Sequence, residues 1–98
     1  MLKEVAEKLK NSNTPVMQKI HTNNGTKLIA FGLKKGVALA EHTAPSKAKI
    51  IMVQGEVDFN MKQESYRLAT LDTYDIPLKE KHAVVGVEDA IFLLLLSE

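Results

Sequence analysis

The chain has 98 residues, 45% of them apolar, and its 13 basic and 12 acidic side chains leave a net charge of +1. That length suits a single domain over residues 1–98, and the apolar share excludes a disordered chain. The near-neutral charge excludes a nucleic-acid partner held by phosphate neutralisation. Because cysteine is absent, disulfides and thiolate metal sites are excluded and a reducing compartment is permitted.

The first residues, Met1-Leu2-Lys3-Glu4-Val5, alternate charged and apolar and lack the apolar stretch of a signal peptide. Leu2, Val5, Ala6 and Leu9 form the stripe of one short amphipathic helix within residues 1–11, and Glu4 can pair with Lys8 across a turn. Asn11-Ser12-Asn13-Thr14-Pro15 stops that helix. Its expected role is to cover a sheet, because a stripe so short with charges of both signs suits a membrane surface poorly.

From Val16 the pattern becomes short strands separated by turns. Strands are expected over 16–22, 26–33, 37–43, 49–53, 56–61, 66–69, 74–76, 82–85 and 90–96. The turns between them include Asn23-Asn24-Gly25, Lys34-Lys35-Gly36, Pro45-Ser46, Gln54-Gly55 and Lys62 to Ser65. So many short strands with almost no helix indicate an all-β sandwich or barrel. The longest apolar run, Ala90 to Leu96, is far below the ~18 residues that span a bilayer as a helix. The expectation is a soluble, cytoplasmic protein with no membrane partner.

Ile50-Ile51-Met52-Val53 and Ile91 to Leu96 are apolar without alternation, so both faces of those strands should be covered. One short helix cannot cover them, and a homodimer built on outer sheet surface is expected. Met17, Met52 and Met61 read as core, and Tyr66 and Tyr74 as packing at strand ends. Asp72 reads as a turn residue that accepts backbone hydrogen bonds.

Two histidines stand in matching frames. Gly36 precedes His42 with five residues between them, and Gly55 closes that segment. Farther on, Pro77 precedes His82 by five positions. From Gly36 onward, about two thirds of the chain, the sequence resembles the cupin family, small β-barrels that usually hold a metal on three histidines and a glutamate. In the first cupin motif the second histidine position is Ala44 and the glutamate position is Ala48. In the second motif, Asp72, Pro77 and His82 match. Leu71 and Lys79 replace glycines, and Gly86 stands where an asparagine is usual.

The resemblance implies a cupin-like jelly-roll β-barrel over residues 16–96, with the short N-terminal helix before it. It also implies that His42 and His82 lie on neighbouring strands and point inward. Ala44, Ala48, Ile50, Met52 and Val84 share that face at even spacing and are the expected pocket lining. Both alanines are unable to ligate, so the expected site has no metal and no cofactor, and no catalytic residue is assigned. The expected function is binding of a small molecule between apolar walls and two imidazoles. If one imidazole donates and the other accepts, a carboxylate, hydroxyl or sugar would suit.

The alternative is a metal-dependent cupin enzyme, of dioxygenase or isomerase type, using His42, His82 and a third ligand for a divalent metal ion. Glu80 and His21 are candidates for that third ligand, whereas strand alternation should turn Glu41 outward. A metal-free enzyme with one histidine as general base lacks any accompanying nucleophile or oxyanion-hole motif. Lys47, Lys79 and Lys81 in nearby loops read as solvated surface.

Overall fold

Among the described residues, nine antiparallel strands follow one helix, in the order read from the sequence. Helix α1 spans Leu2–Leu9, and the strands are β1 Val16–Asn23, β2 Thr26–Leu33, β3 Ala38–His42, β4 Lys47–Gln54, β5 Glu56–Met61, β6 Ser65–Ala69, β7 Thr73–Ile76, β8 His82–Gly86 and β9 Ala90–Ser97. The structure, a computed structural model, describes residues 2–44 and 46–97. Met1, Pro45 and Glu98 lie outside the described residues, and with them the start of the expected 1–11 helix and the proline of the expected Pro45-Ser46 loop.

The strands form a five-stranded sheet, β1-β2-β9-β4-β7, and a four-stranded sheet, β3-β8-β5-β6. Alternation puts Phe31, Phe92, Ala48, Ile50 and Met52 of the first sheet on one face, where they meet Val57, Phe59, Leu68 and Val84 of the second in a single buried cluster. This is the expected all-β jelly roll with a short N-terminal helix, but the sheets do not close into a barrel. Among the described residues, no hydrogen-bonded strand pairing joins one sheet to the other. At one side, rings fill the gap instead: Tyr66 on β6 lies tilted against Tyr74 of β7 with centroids 5.3 Å apart, and Tyr74 lies 5.0 Å from Phe59. Aromatic contact there replaces a closing backbone ladder.

At the other side β1 is an edge strand, and Met17 is 60% exposed. Its expected place in the core is therefore corrected. Met17 pairs with Phe31 and shares its face, but no strand of the four-stranded sheet reaches it. Met52 is buried as expected and Met61 is half-buried.

Helix α1 lies on the outer face of the five-stranded sheet. Its Val5 and Leu9 pack with Val16, Ala30 and Ile91, and Leu93 is partly buried against them. Gly32 makes this seat possible, because a Cβ there would lie 3.1 Å from Val5 and 3.3 Å from Leu9. The helix thus covers only the first part of β9. Among the described residues, no helix is long and apolar enough to cross a membrane.

Turn geometry survives the loss of two motif glycines. Leu71 has φ of 74° and Lys79 has φ of 64°, a left-handed backbone that side chains other than glycine adopt at a cost. At Leu71 the turn is held by a small network. The Asp72 carboxylate accepts from Ala69 N–H at 2.8 Å, Leu71 N–H donates to Met52 O at 3.1 Å, and Met52 N–H donates to Asp72 O at 2.8 Å. Asp72 is the turn residue expected of it.

Candidate functional site

Strand β3 departs from its pairing with β8 just where the first histidine arrives. Leu39 pairs with Val84 and His42 with His82, so three steps on β3 oppose two on β8. That extra residue is a β-bulge. It lets Leu39 and His42 both face inward despite their odd spacing, and it carries Ala40 and Glu41 into the lining of the interior cavity. Glu41 itself is exposed, so it stands at the rim of that lining.

The cavity lies between the sheets and has a volume of about 380 Å³. From the five-stranded sheet its walls are Phe31, Ala48, Ile50, Ile76, Phe92, Leu94 and Leu96. From the four-stranded sheet they are Leu39, Ala40, Glu41, His42, His82 and Val84, with Ala44 in the following loop. Six of the seven pocket residues expected from the sequence are therefore here: His42, His82, Ala44, Ala48, Ile50 and Val84. Met52 is not. It is 1% exposed and belongs to the packed core, two residues beyond Ile50, where side chains fill the space between the sheets.

Phe31, Ile76, Phe92, Leu94 and Leu96 were not assigned to the pocket from the sequence. On β9 the unbroken apolar run hides which alternate residues face inward; pairing with β4 decides it, by setting Leu96 opposite Ala48 and Leu94 opposite Ile50.

The two imidazoles meet edge to face, with ring centroids 4.4 Å apart. His82 is 2% exposed and its other side stacks on Phe59 at 4.9 Å, while His42 is exposed. Each ring is anchored in the same way. His42 Nδ1 lies 2.7 Å from Ala40 O, and His82 Nδ1 lies 3.1 Å from Glu80 O. Burial pushes the His82 pKa down, its bond to the Glu80 carbonyl opposes that shift, and the charge of His42 adds to the lowering.

Other residues considered from the sequence stay apart from this pair. His21 is exposed on β1 and does not line the cavity, and Glu80 contributes its backbone carbonyl only. Lys47, Lys79 and Lys81 are exposed and outside the lining. Among the described residues, no group of three or more histidine, aspartate or glutamate side chains is placed to hold a metal ion.

No protein-family model matches the chain, and no curated relative does. Solved structures do match. A conserved protein of unknown function from Streptococcus pyogenes superposes with a TM-score of 0.80 at 24% identity, over 90% of this chain and 77% of that one. A cupin superfamily protein from Desulfitobacterium hafniense gives 0.80 at 16% identity, covering 89% and 78%. An RmlC-like cupin protein from Desulfovibrio desulfuricans gives 0.78 at 22% identity, covering 86% and 82%. The protein has the cupin fold.

Within that fold, the metal site implied by the resemblance would have an incomplete donor set in this chain. Its donor set is two imidazoles, with Ala44 and Ala48 in the other two positions. A catalytic zinc takes three protein ligands, and a non-haem iron centre takes two histidines and a carboxylate. Glu41 does not supply the missing carboxylate, because it joins no ligand group with the histidines.

Proposed function

We propose that this cupin-fold protein binds a small, mostly apolar molecule between its sheets without a resident metal ion. The observation that carries the reading is the cavity itself, whose walls are apolar except for Glu41 and the His42–His82 pair. Pockets of this kind bury most of a small ligand and orient it with a few polar groups. The absence of cysteine suits a reducing compartment, and the cytoplasm is the proposed location.

One feature favours a metal-dependent enzyme as the second reading. Both Nδ1 atoms are tied to backbone carbonyls, which is also how metal-ligating imidazoles are oriented. Protein purified without a histidine tag separates the two. Metal analysis is expected to find substoichiometric zinc, nickel, manganese and iron, and calorimetric titration with each is expected to show no tight site. Stoichiometric metal that disappears in His42→Ala would overturn the metal-free reading.

A further inference from the structure

The two backbone anchors determine which nitrogen of each ring is left for a ligand. A carbonyl oxygen only accepts, so the hydrogen bonds at 2.7 Å to Ala40 O and 3.1 Å to Glu80 O are donated by Nδ1–H. In a neutral imidazole the proton on Nδ1 leaves Nε2 as a bare acceptor. Neither Nε2 has a hydrogen-bond partner among the described residues. His82 Nε2 is also not sealed off: among the described residues, the buried polar side-chain atom without a partner is Gln18 Oε1. Both rings line the cavity.

The remaining polar inventory points the same way. Among the described residues, no lysine, arginine, serine, threonine, asparagine, glutamine or tyrosine lines the cavity, so the described walls hold no other side-chain donor. Among the described residues, the charged member of the lining is Glu41, an exposed acid rather than a base. A carboxylate or phosphate ligand would face two lone pairs between apolar walls, where unpaired charge is costly. A hydroxyl or N–H group would satisfy an acceptor that otherwise has only water.

We propose that the cavity selects an uncharged apolar molecule whose polar end is a hydrogen-bond donor, a hydroxyl or N–H, seated on the Nε2 atoms of His42 and His82, and that it rejects carboxylates. This inference rests on the small-molecule reading above and narrows it. A volume of about 380 Å³ holds on the order of ten non-hydrogen atoms, at the ~30 Å³ that a water occupies in the liquid.

Three probes with equal numbers of non-hydrogen atoms test it at pH 8: 1-phenylethanol, its ketone acetophenone, and benzoate. Binding is measured by calorimetry or by shifts in the amide NMR spectrum. The alcohol is expected to bind about tenfold tighter than the ketone, and benzoate weakest. In His42→Phe, an exposed position whose loss leaves the core intact, the gap between alcohol and ketone is expected to shrink. Imidazole nitrogen NMR of the unsubstituted protein gives a second, independent readout: both neutral rings should carry the proton on Nδ1. A proton on Nε2 of either ring overturns the inference. So does a ketone that binds as well as the alcohol, or benzoate binding tightest, although the cavity then still binds small molecules. If none of the three binds, the small-molecule reading falls and the donor preference falls with it.

Discussion

His82 is the residue on which the site depends most. Among the described residues it is the one polar residue with a buried side chain, held by Phe59 on one side, His42 on the other, and the Glu80 carbonyl at Nδ1. Burial lowers its pKa below the ordinary imidazole value of 6.5, so near neutral pH the folded protein holds it uncharged. Between that ordinary value and the lower folded value, the unfolded chain binds more protons than the folded one. Stability therefore rises with pH through this window and is lost as pH falls below about 6.5, with a slope of at most ~1.4 kcal/mol per pH unit. Urea unfolding at pH 7.5 and pH 5.5 should show this loss, and His82→Gln should flatten it. Equal pH sensitivity in the two proteins would remove His82 as the cause. Two alanines mark the other half of the residue-scale argument. Ala44 and Ala48 both line the cavity beside the histidines, so Ala44→His with Ala48→Glu should restore a four-ligand set and create a divalent-metal site detectable by calorimetry. A folded double variant that binds no metal would show that these positions do not face the imidazoles.

At the scale of elements, strand β3 and the β6–β7 turn show how local chemistry and fold diverge. The bulge in β3 brings Leu39, Glu41 and His42 to one cavity, which no period-two reading of the sequence can do. The turn at Leu71 keeps a left-handed backbone without glycine, and its side chain is 85% exposed, so it contributes almost nothing to packing. The left-handed conformation costs about 1–2 kcal/mol for such a residue, while glycine costs roughly 0.5–1 kcal/mol in unfolded-chain entropy. Leu71→Gly should therefore leave stability unchanged or raise it by up to ~1 kcal/mol. Leu71→Val should lower it by more than ~1 kcal/mol, because a β-branched residue tolerates positive φ least. Chemical denaturation of the pair checks both. A destabilised glycine variant would mean that the leucine side chain has a partner in solution. Legibility follows the same division. Gly36, Gly55 and Pro77 reported turns, and Asp72 its cap, because such residues act locally. The inward phase of β9 was not legible, because a run from Ile91 to Leu96 has the same apolar character on both faces.

At the scale of the whole molecule, the apolar outer face of the five-stranded sheet is only partly covered. Helix α1 packs on Val16, Ala30 and Ile91 and reaches Leu93. Leu28 and Leu95 pair on the same outer face, as do Leu93 and Ile51, and Val53 beyond them is 36% exposed. We propose that a second copy of the chain covers this surface. Light scattering at micromolar concentration should give twice the monomer mass, and Ile51→Lys should shift it toward the monomer. A monomeric parent protein under those conditions would rule the dimer out. The apolar tracts of β4 and β9 announced in sequence that both faces needed cover, and the structure shows that the helix supplies only part of it.

From the sequence alone came the nine strands, the helix that precedes them, the histidine pair and the two alanines beside it. Each is written in local periodicity, in turn-forming residues or in spacing, which a chain carries before it folds. Tertiary structure alone decided that the sheets stay open, with Tyr66 and Tyr74 bridging their edges, and that a bulge in β3 sets His42 opposite His82. It also decided that both histidines spend their Nδ1 protons on backbone carbonyls. Those outcomes depend on which strand lies beside which and on where each hydrogen bond ends. Both are set by packing between residues far apart in the chain, and local pattern does not record them.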